Sequence, residues 1–202
     1  YLLKFLWAPL IDRYAFPLTA FLGRRRSWLL VAQCVVAISL FALAFSQPQY
    51  GVTGLVVWVM IASFAGATQD SVVDAYRIEI APANAQAALA ATYTLGYRLG
   101  MILAGAGALY LAEFRGWTAA YVVMASLMAL PILATLLSPE PVAPESTVVR
   151  KIDFVGAFWQ PFSSFFTTNG VLLALALLLF VGLFKFPDQV IGVMAGPFYL
   201  DS

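Results

Sequence analysis

The chain contains no histidine and one cysteine, Cys34, and only 10% of its 202 residues carry a charge. Each shortage excludes something. Without histidine, no side chain titrates near neutral pH at its ordinary pKa, so any proton exchange within these residues falls to a carboxylate or a lysine. A single cysteine in an apolar segment builds neither a disulfide framework nor a thiolate metal site, and it leaves the redox compartment open. Ser71 and Cys34 have no base and orienting group at a spacing that suggests a triad, so no enzyme is expected, and no metal or cofactor. The net charge is +1 and the basic residues fall in short clusters between apolar runs. No basic face tracks phosphates, and no nucleic-acid partner is expected. A starting Met and a signal peptide are also missing. Tyr1 to Ile11 is too short to span a membrane and the chain stops at Asp201-Ser202 just after an apolar stretch, so the sequence reads as a fragment.

What fills the space left by charge is apolar surface, 62% of the residues, where a soluble domain would carry charge on about 25%. Several uncharged runs approach or exceed the roughly 18 residues of a spanning helix. The runs predict the end of one helix at Tyr1 to Ile11 and whole spans near Trp28 to Ser46, Gly54 to Asp74, Ala87 to Ala112, Trp117 to Leu137 and Gly170 to about Phe198. Sorted by alternate loops, Lys4, Arg13, Arg24, Arg25, Arg26, Arg77, Arg150 and Lys151 fall on one side and Arg115 on the other. The basic side is expected to be cytoplasmic. The long loop from Ser138 to Asn169 opens on the Pro/Glu-rich Ser138-Pro-Glu-Pro-Val-Ala-Pro-Glu145, which cannot hold a helix, and reads as a linker. After it, Ile152, Val155, Trp159, Phe162 and Phe166 recur at helical spacing. They suggest a segment lying in the membrane interface, interrupted near Pro161.

Charge inside a span is costly and usually functional. Asp70 and Asp74 are four apart on the Gly54 to Asp74 run, on one helical face, with Arg77 one turn beyond. Arg98, counted from Ala87, lies roughly 16 Å deep at 1.5 Å per residue, near the middle of the bilayer, and needs a carboxylate, a wet cavity or an anionic ligand. Asp70 is the nearest candidate. Lys185 and Asp188 flank Pro187 among Gly182, Gly192 and Gly196, which predicts a bent or locally unwound last span of the kind that builds membrane sites; a self-neutralising pair is the alternative. Gly96, Gly100, Ala104, Gly105 and Gly107 make a small-residue edge for close helix packing. The spans at 28 to 46 and 117 to 137 hold no charge and are expected on the outside, facing lipid, while the other three line a cavity.

Two groups of residues carry a family resemblance. Ala8-Pro-Leu-Ile-Asp12-Arg13 followed by Gly23-Arg-Arg-Arg26 resembles the Gly-x-x-x-Asp-Arg-x-Gly-Arg-Arg signature between the second and third helices of the major facilitator superfamily. Ala8 stands for the first glycine, and Tyr14 to Leu22 stand where the signature has one residue. With Ala67-Thr-Gln-Asp70 through Asp74-Ala75, Leu95-Gly-Tyr-Arg-Leu-Gly-Met101 and Lys185-Phe-Pro-Asp188, the whole chain is similar to the AmpG-type muropeptide permeases. The resemblance implies an all-α polytopic membrane protein, a major-facilitator-type helical bundle of which this chain holds helices two to seven. Residues 1–137 would belong to the N-terminal half, 138–169 to a cytoplasmic linker and 170–202 to the first helix of the C-terminal half. It implies proton-driven import of anhydro-muropeptides through the inner membrane by a monomer, feeding wall recycling and β-lactamase induction. Gln69, Tyr97 and Arg98 would then bind substrate hydroxyls, amides and carboxylates, and Asp70, Asp188 and Lys185 would serve substrate or proton coupling. Asp12, Arg13, Gly23, Arg24, Arg25, Asp74 and Arg77 would form a cytoplasmic latch. Another substrate, such as acetyl-CoA, which distant relatives carry, and a non-transporting sensor are the alternatives.

Overall fold

The computed structural model describes residues 7, 11, 19–46, 51–141 and 154–201. Side chains are described for all of these except 19–20, 154–158, 160–162, 185, 188–189 and 191–201. Every described regular element is helical, and no strand occurs among the described residues. The chain divides into two units, Tyr1–Arg150 and Lys151–Ser202.

In the first unit, a short turn at Thr19–Leu22 ends on Gly23, and glycines at positive φ start the first two long helices. These are α1, Arg24–Phe45, after Gly23 (φ 83°), and α2, Val52–Ile80, after Gly51 (φ 125°). Pro82 follows α2, and the Gln86 amide donates to the carbonyls of Ile78 (3.1 Å) and Ala81 (2.8 Å), satisfying groups that the helix end exposes. Next come α3, Gln86–Ile102, a π turn at Leu103–Gly107 within the Gly/Ala-rich stretch, and α4, Ala108–Leu127. The last helix of the unit is α5, Ala129–Leu137. The break at Met128 has a cause three residues on: Pro131 has no N–H to return to Leu127, and the Met128 amide bonds instead to Ala125 at 3.2 Å.

Three helical stretches among the described residues are long and apolar enough to cross a membrane: Arg24–Phe45, Val52–Ile80 and Ala83–Leu137, the last of 55 residues. At 1.5 Å per residue that last stretch would run about 80 Å, well over twice a hydrocarbon core of about 30 Å. Gly116 (φ 82°, ψ 165°) breaks it, at the point between the two runs that the sequence reads as separate spans.

The packing corrects one expectation. Helix α1, charge-free from Ser27 on, is the most buried of the candidate spans, touching α2, α4 and α5, so an uncharged run did not mean exposure to lipid. Its buried positions include Ser27, Ala32, Gln33, Ser39 and Ala44, small or hydrogen-bonding side chains that let backbones approach, and helices associate in lipid through such residues rather than through apolar bulk. Gln33 and Thr135 on α5 join in a buried hydrogen bond of 3.0 Å. Ile11, Leu29 and Val72 form a small apolar centre, covered by Trp7, Trp28, Val73 and Tyr76. The expected packing edge along α3 and the π turn meets no neighbour among the described residues: a Cβ added at Gly96, Gly100 or Gly105 would find nothing within 4 Å.

The second unit holds α6, Phe154–Asn169, and α7, Val171–Asp201. Both continue as helix through their prolines, Pro161 and Pro187, where the sequence predicted an interruption and a bent or locally unwound span. Each proline removes one N–H, and membrane helices absorb that loss by small local adjustments. The real corner is Gly170 (φ 72°), where segments Ser163–Asn169 and Val171–Phe184 meet at 113°.

Candidate functional site

Helix α2 organises the site because its faces differ. On one, Thr68 accepts a hydrogen bond from the Trp7 indole (3.2 Å), the Trp7 ring lies 4.8 Å from that of Phe64, and Ala65, Ala67 and Val72 are buried. On another, Ala62, Ser63, Gly66, Gln69 and Asp70 follow at helical spacing and, with Val36 of α1 and Met128, line an open cavity of about 370 Å³. The first three are small, which leaves the room. Gln69 and Asp70, both half-buried, supply an amide and a carboxylate, and Ser63 adds a hydroxyl. Such walls can bind hydroxyls, amides or ammonium groups, and the carboxylate can take up and release a proton. Gln69 and Asp70 were singled out in the sequence. Ser63, Gly66 and Met128 were not, although the small residues sit one and two turns before Gln69 and Asp70.

The other expected site residues lie elsewhere. Tyr97 and Arg98 are exposed on α3, and among the described residues Arg98 forms no ion pair with Asp70. Only the start of α3 approaches α2, where the Arg77 guanidinium rests over the Tyr93 ring at 5.2 Å. Arg77 thus takes an aromatic face in place of the expected Asp74, and its buried Nε has no hydrogen-bond partner. Lys185 and Asp188 fall on α7 with side chains outside the described ones, and Asp12 and Arg13 lie outside the described residues altogether.

The charged end brings in residues that the expected latch did not include. Three arginines, Arg24 to Arg26, open α1, a position where helix N–H groups already concentrate positive charge, and no residue of the helix itself caps them. Glu140, just beyond α5, does so, accepting from the amides of Arg25 (2.8 Å) and Arg26 (3.2 Å). In return Arg26 donates to the carbonyls of Thr135 (3.0 Å) and Leu136 (2.5 Å) at the end of α5. Tyr76 of α2 donates to the Pro139 carbonyl at 2.6 Å. Arg25, 5% exposed, forms a two-point ion pair with Glu79, through Nε at 2.9 Å and through Nη2. Arg25 thus meets Glu79, and sequence reasoning passed over both Glu79 and Glu140. The missing cap on an arginine-rich first turn was the signal that could have found Glu140.

Replacing Glu79 by glutamine should leave the buried Arg25 charge half-satisfied. Breaking a fully buried pair costs about 3–5 kcal/mol. With a quarter of the Glu79 side chain exposed, a loss of about 1–3 kcal/mol is expected in denaturant unfolding of the micelle-solubilised protein. Unchanged stability would show that solvent already screens the pair.

Apolar helices folded around an intramembrane carboxylate beside an open cavity define a multi-pass membrane protein of the carrier class. Residues 1–201 match the Major Facilitator Superfamily, and the chain belongs to it. It is 39% identical over 189 residues to the anhydromuropeptide permease of Escherichia coli (strain K12), covering 93% of this chain and 37% of that protein. It is 34% identical over 205 residues to putative transporter AmpG 4 of Rickettsia felis, covering 100% of this chain and 49% of that one. Against putative transporter AmpG 3 of Rickettsia typhi the identity is 31% over 206 residues, with 100% and 49% covered. The chain thus spans between about a third and a half of the length of these relatives. No solved structure matches it significantly.

Proposed function

We propose that this chain is the part of a secondary active transporter that carries its proton-coupling carboxylate, and that the transporter imports anhydro-muropeptides through the inner membrane as a monomer. The observation that carries the substrate is the 39% identity, over 93% of the chain, to a protein named an anhydromuropeptide permease. The cavity beside Gln69 and Asp70 supports the mechanism. Gln69 hydrogen-bonds sugar and peptide groups there, and Asp70 is protonated and deprotonated in the cycle.

Arg98 and Tyr97 bind the substrate's carboxylate and hydroxyl groups, and Lys185 with Asp188 forms a second polar station on α7. The latch that holds one membrane face closed joins Gly23 and Arg24 to Arg26 to Glu79 and Glu140, and Asp12, Arg13, Asp74 and Arg77 serve the same closure. Labelled anhydro-muropeptide presented to vesicles holding the full-length protein tests the whole reading. Uptake that rises with an inward proton gradient and collapses with an ionophore is expected. Gradient-independent uptake removes the coupling, and no uptake of muropeptide, with or without a gradient, removes the substrate.

A further inference from the structure

Helix α6 is uncharged along its whole length, Phe154–Asn169, and holds six aromatic residues: Phe154, Phe158, Trp159, Phe162, Phe165 and Phe166. At about 100° per residue these six positions fall within an arc of roughly 140°. Gln160, Ser163, Ser164 and Thr167 occupy the opposite arc. Trp159 is 68% exposed, and the rings of Phe165 and Phe166 lie edge to face at 5.8 Å. The aromatic face is therefore not consumed by packing at Trp159.

The helix is aimed by its neighbour. Asn169 closes α6 by donating to the Phe165 carbonyl at 2.9 Å, Gly170 takes a φ of 72°, and the Ala174 amide returns to the Gly170 carbonyl at 3.0 Å to open α7. The result is the 113° corner. Helix α7 has 31 residues, about 46 Å at 1.5 Å per residue, and begins with the uncharged run Val171 to Phe184. With α7 across the bilayer, α6 comes to lie near the membrane plane. Arg150 and Lys151 precede it in sequence, and basic residues beside a membrane surface are attracted by anionic headgroups.

We propose that α6 is a membrane-interface anchor whose partner is the phospholipid surface, with the aromatic arc seated at the headgroup–acyl boundary and the Gln/Ser/Thr arc in water. Aromatic side chains favour that boundary because their rings leave water while their polar edges keep it. The corner at Gly170 fixes the level at which α7 enters the bilayer. The lipid surface meeting α6 is continuous with the lipid around α7, and no second partner is needed.

Because Cys34 is the one cysteine of this chain, a Cys34→Ser background of the full-length protein, with any other cysteines replaced, allows single nitroxide labels on α6. Labels at Phe158, Phe162 and Phe165 in phospholipid vesicles should be more accessible to oxygen than to a water-soluble nickel complex, at one common depth. Labels at Gln160, Ser164 and Thr167 should show the reverse ratio. The polar-face labels leave the aromatic arc intact, so they decide the matter even if a Phe→Cys variant fails to fold. Depth that increases steadily along the helix would overturn the proposal in favour of a membrane-crossing segment. Exclusion of both reagents on both faces would overturn it in favour of a protein partner, and nickel access on both faces would leave no anchor at all.

Discussion

Vesicles carrying the full-length Asp70→Asn variant are expected to equilibrate muropeptide without accumulating it. Each net charge carried inward by a coupled carrier across about 100 mV is worth about 2.3 kcal/mol, or roughly a fifty-fold concentration at 1.36 kcal/mol per decade. Asparagine keeps the size and a hydrogen-bonding oxygen but cannot be deprotonated, so the ratio should fall to about one. Exchange of labelled for unlabelled substrate should persist, because the cavity walls Ala62, Ser63, Gly66 and Gln69 are unchanged. Accumulation at the parent level would remove Asp70 as the coupling group and pass the role to Asp188 or to a residue outside this chain. The same assay on Arg98→Gln separates the two charges. Since Arg98 is exposed on α3 and not paired with Asp70 here, a raised KM with coupling intact is expected.

The Gly23→Ala variant should be the most damaging single methyl in the first unit. Gly23 holds φ 83° and ψ 170°, a region essentially closed to other residues and costing about 1–3 kcal/mol when forced. The added Cβ would also collide with the side chain of Glu140, pushing the carboxylate off the first turn of α1. Losing a cap costs about 1 kcal/mol. A total of about 2–4 kcal/mol is expected in denaturant unfolding. Glu140→Gly alone should cost the cap, and the double variant less than the sum of the two, since the collision disappears. Full additivity would mean that Glu140 and Gly23 do not meet.

Much of this was legible in the sequence because it rests on local quantities. Apolar run length located the helices, and helical spacing marked the Asp70 and Asp74 run of α2 as the polar one; Gln69 came from the family resemblance, and the glycines that begin α1 and α2 were not read as starts. What failed depended on the third dimension. Arg98 was matched to Asp70 by depth and sequence order, yet only the first turns of α3 touch α2. The charge-free run 28 to 46 of α1 was assigned to lipid, yet Ser27, Ser39 and Gln33 fit the helix for the interior. Glu79 and Glu140 were unremarkable in sequence because their importance comes from arginines that lie 54 and 115 positions away along the chain. Prolines were overread as breaks, since a helix ends only where the surroundings fail to absorb one lost bond.

Glu140 and Arg26 each serve the other's helix: the carboxylate beyond α5 caps the start of α1, and the arginine of α1 holds the end of α5. Such a joint has a mechanical consequence. Sliding α1 past α5 by even one helical step would strip amides and carbonyls of their partners at the same moment, and the buried Gln33 with Thr135 would have to part as well. The pair resists shear and tolerates rotation as one body. A displacement of α1 along its axis is therefore expected to carry the end of α5 with it.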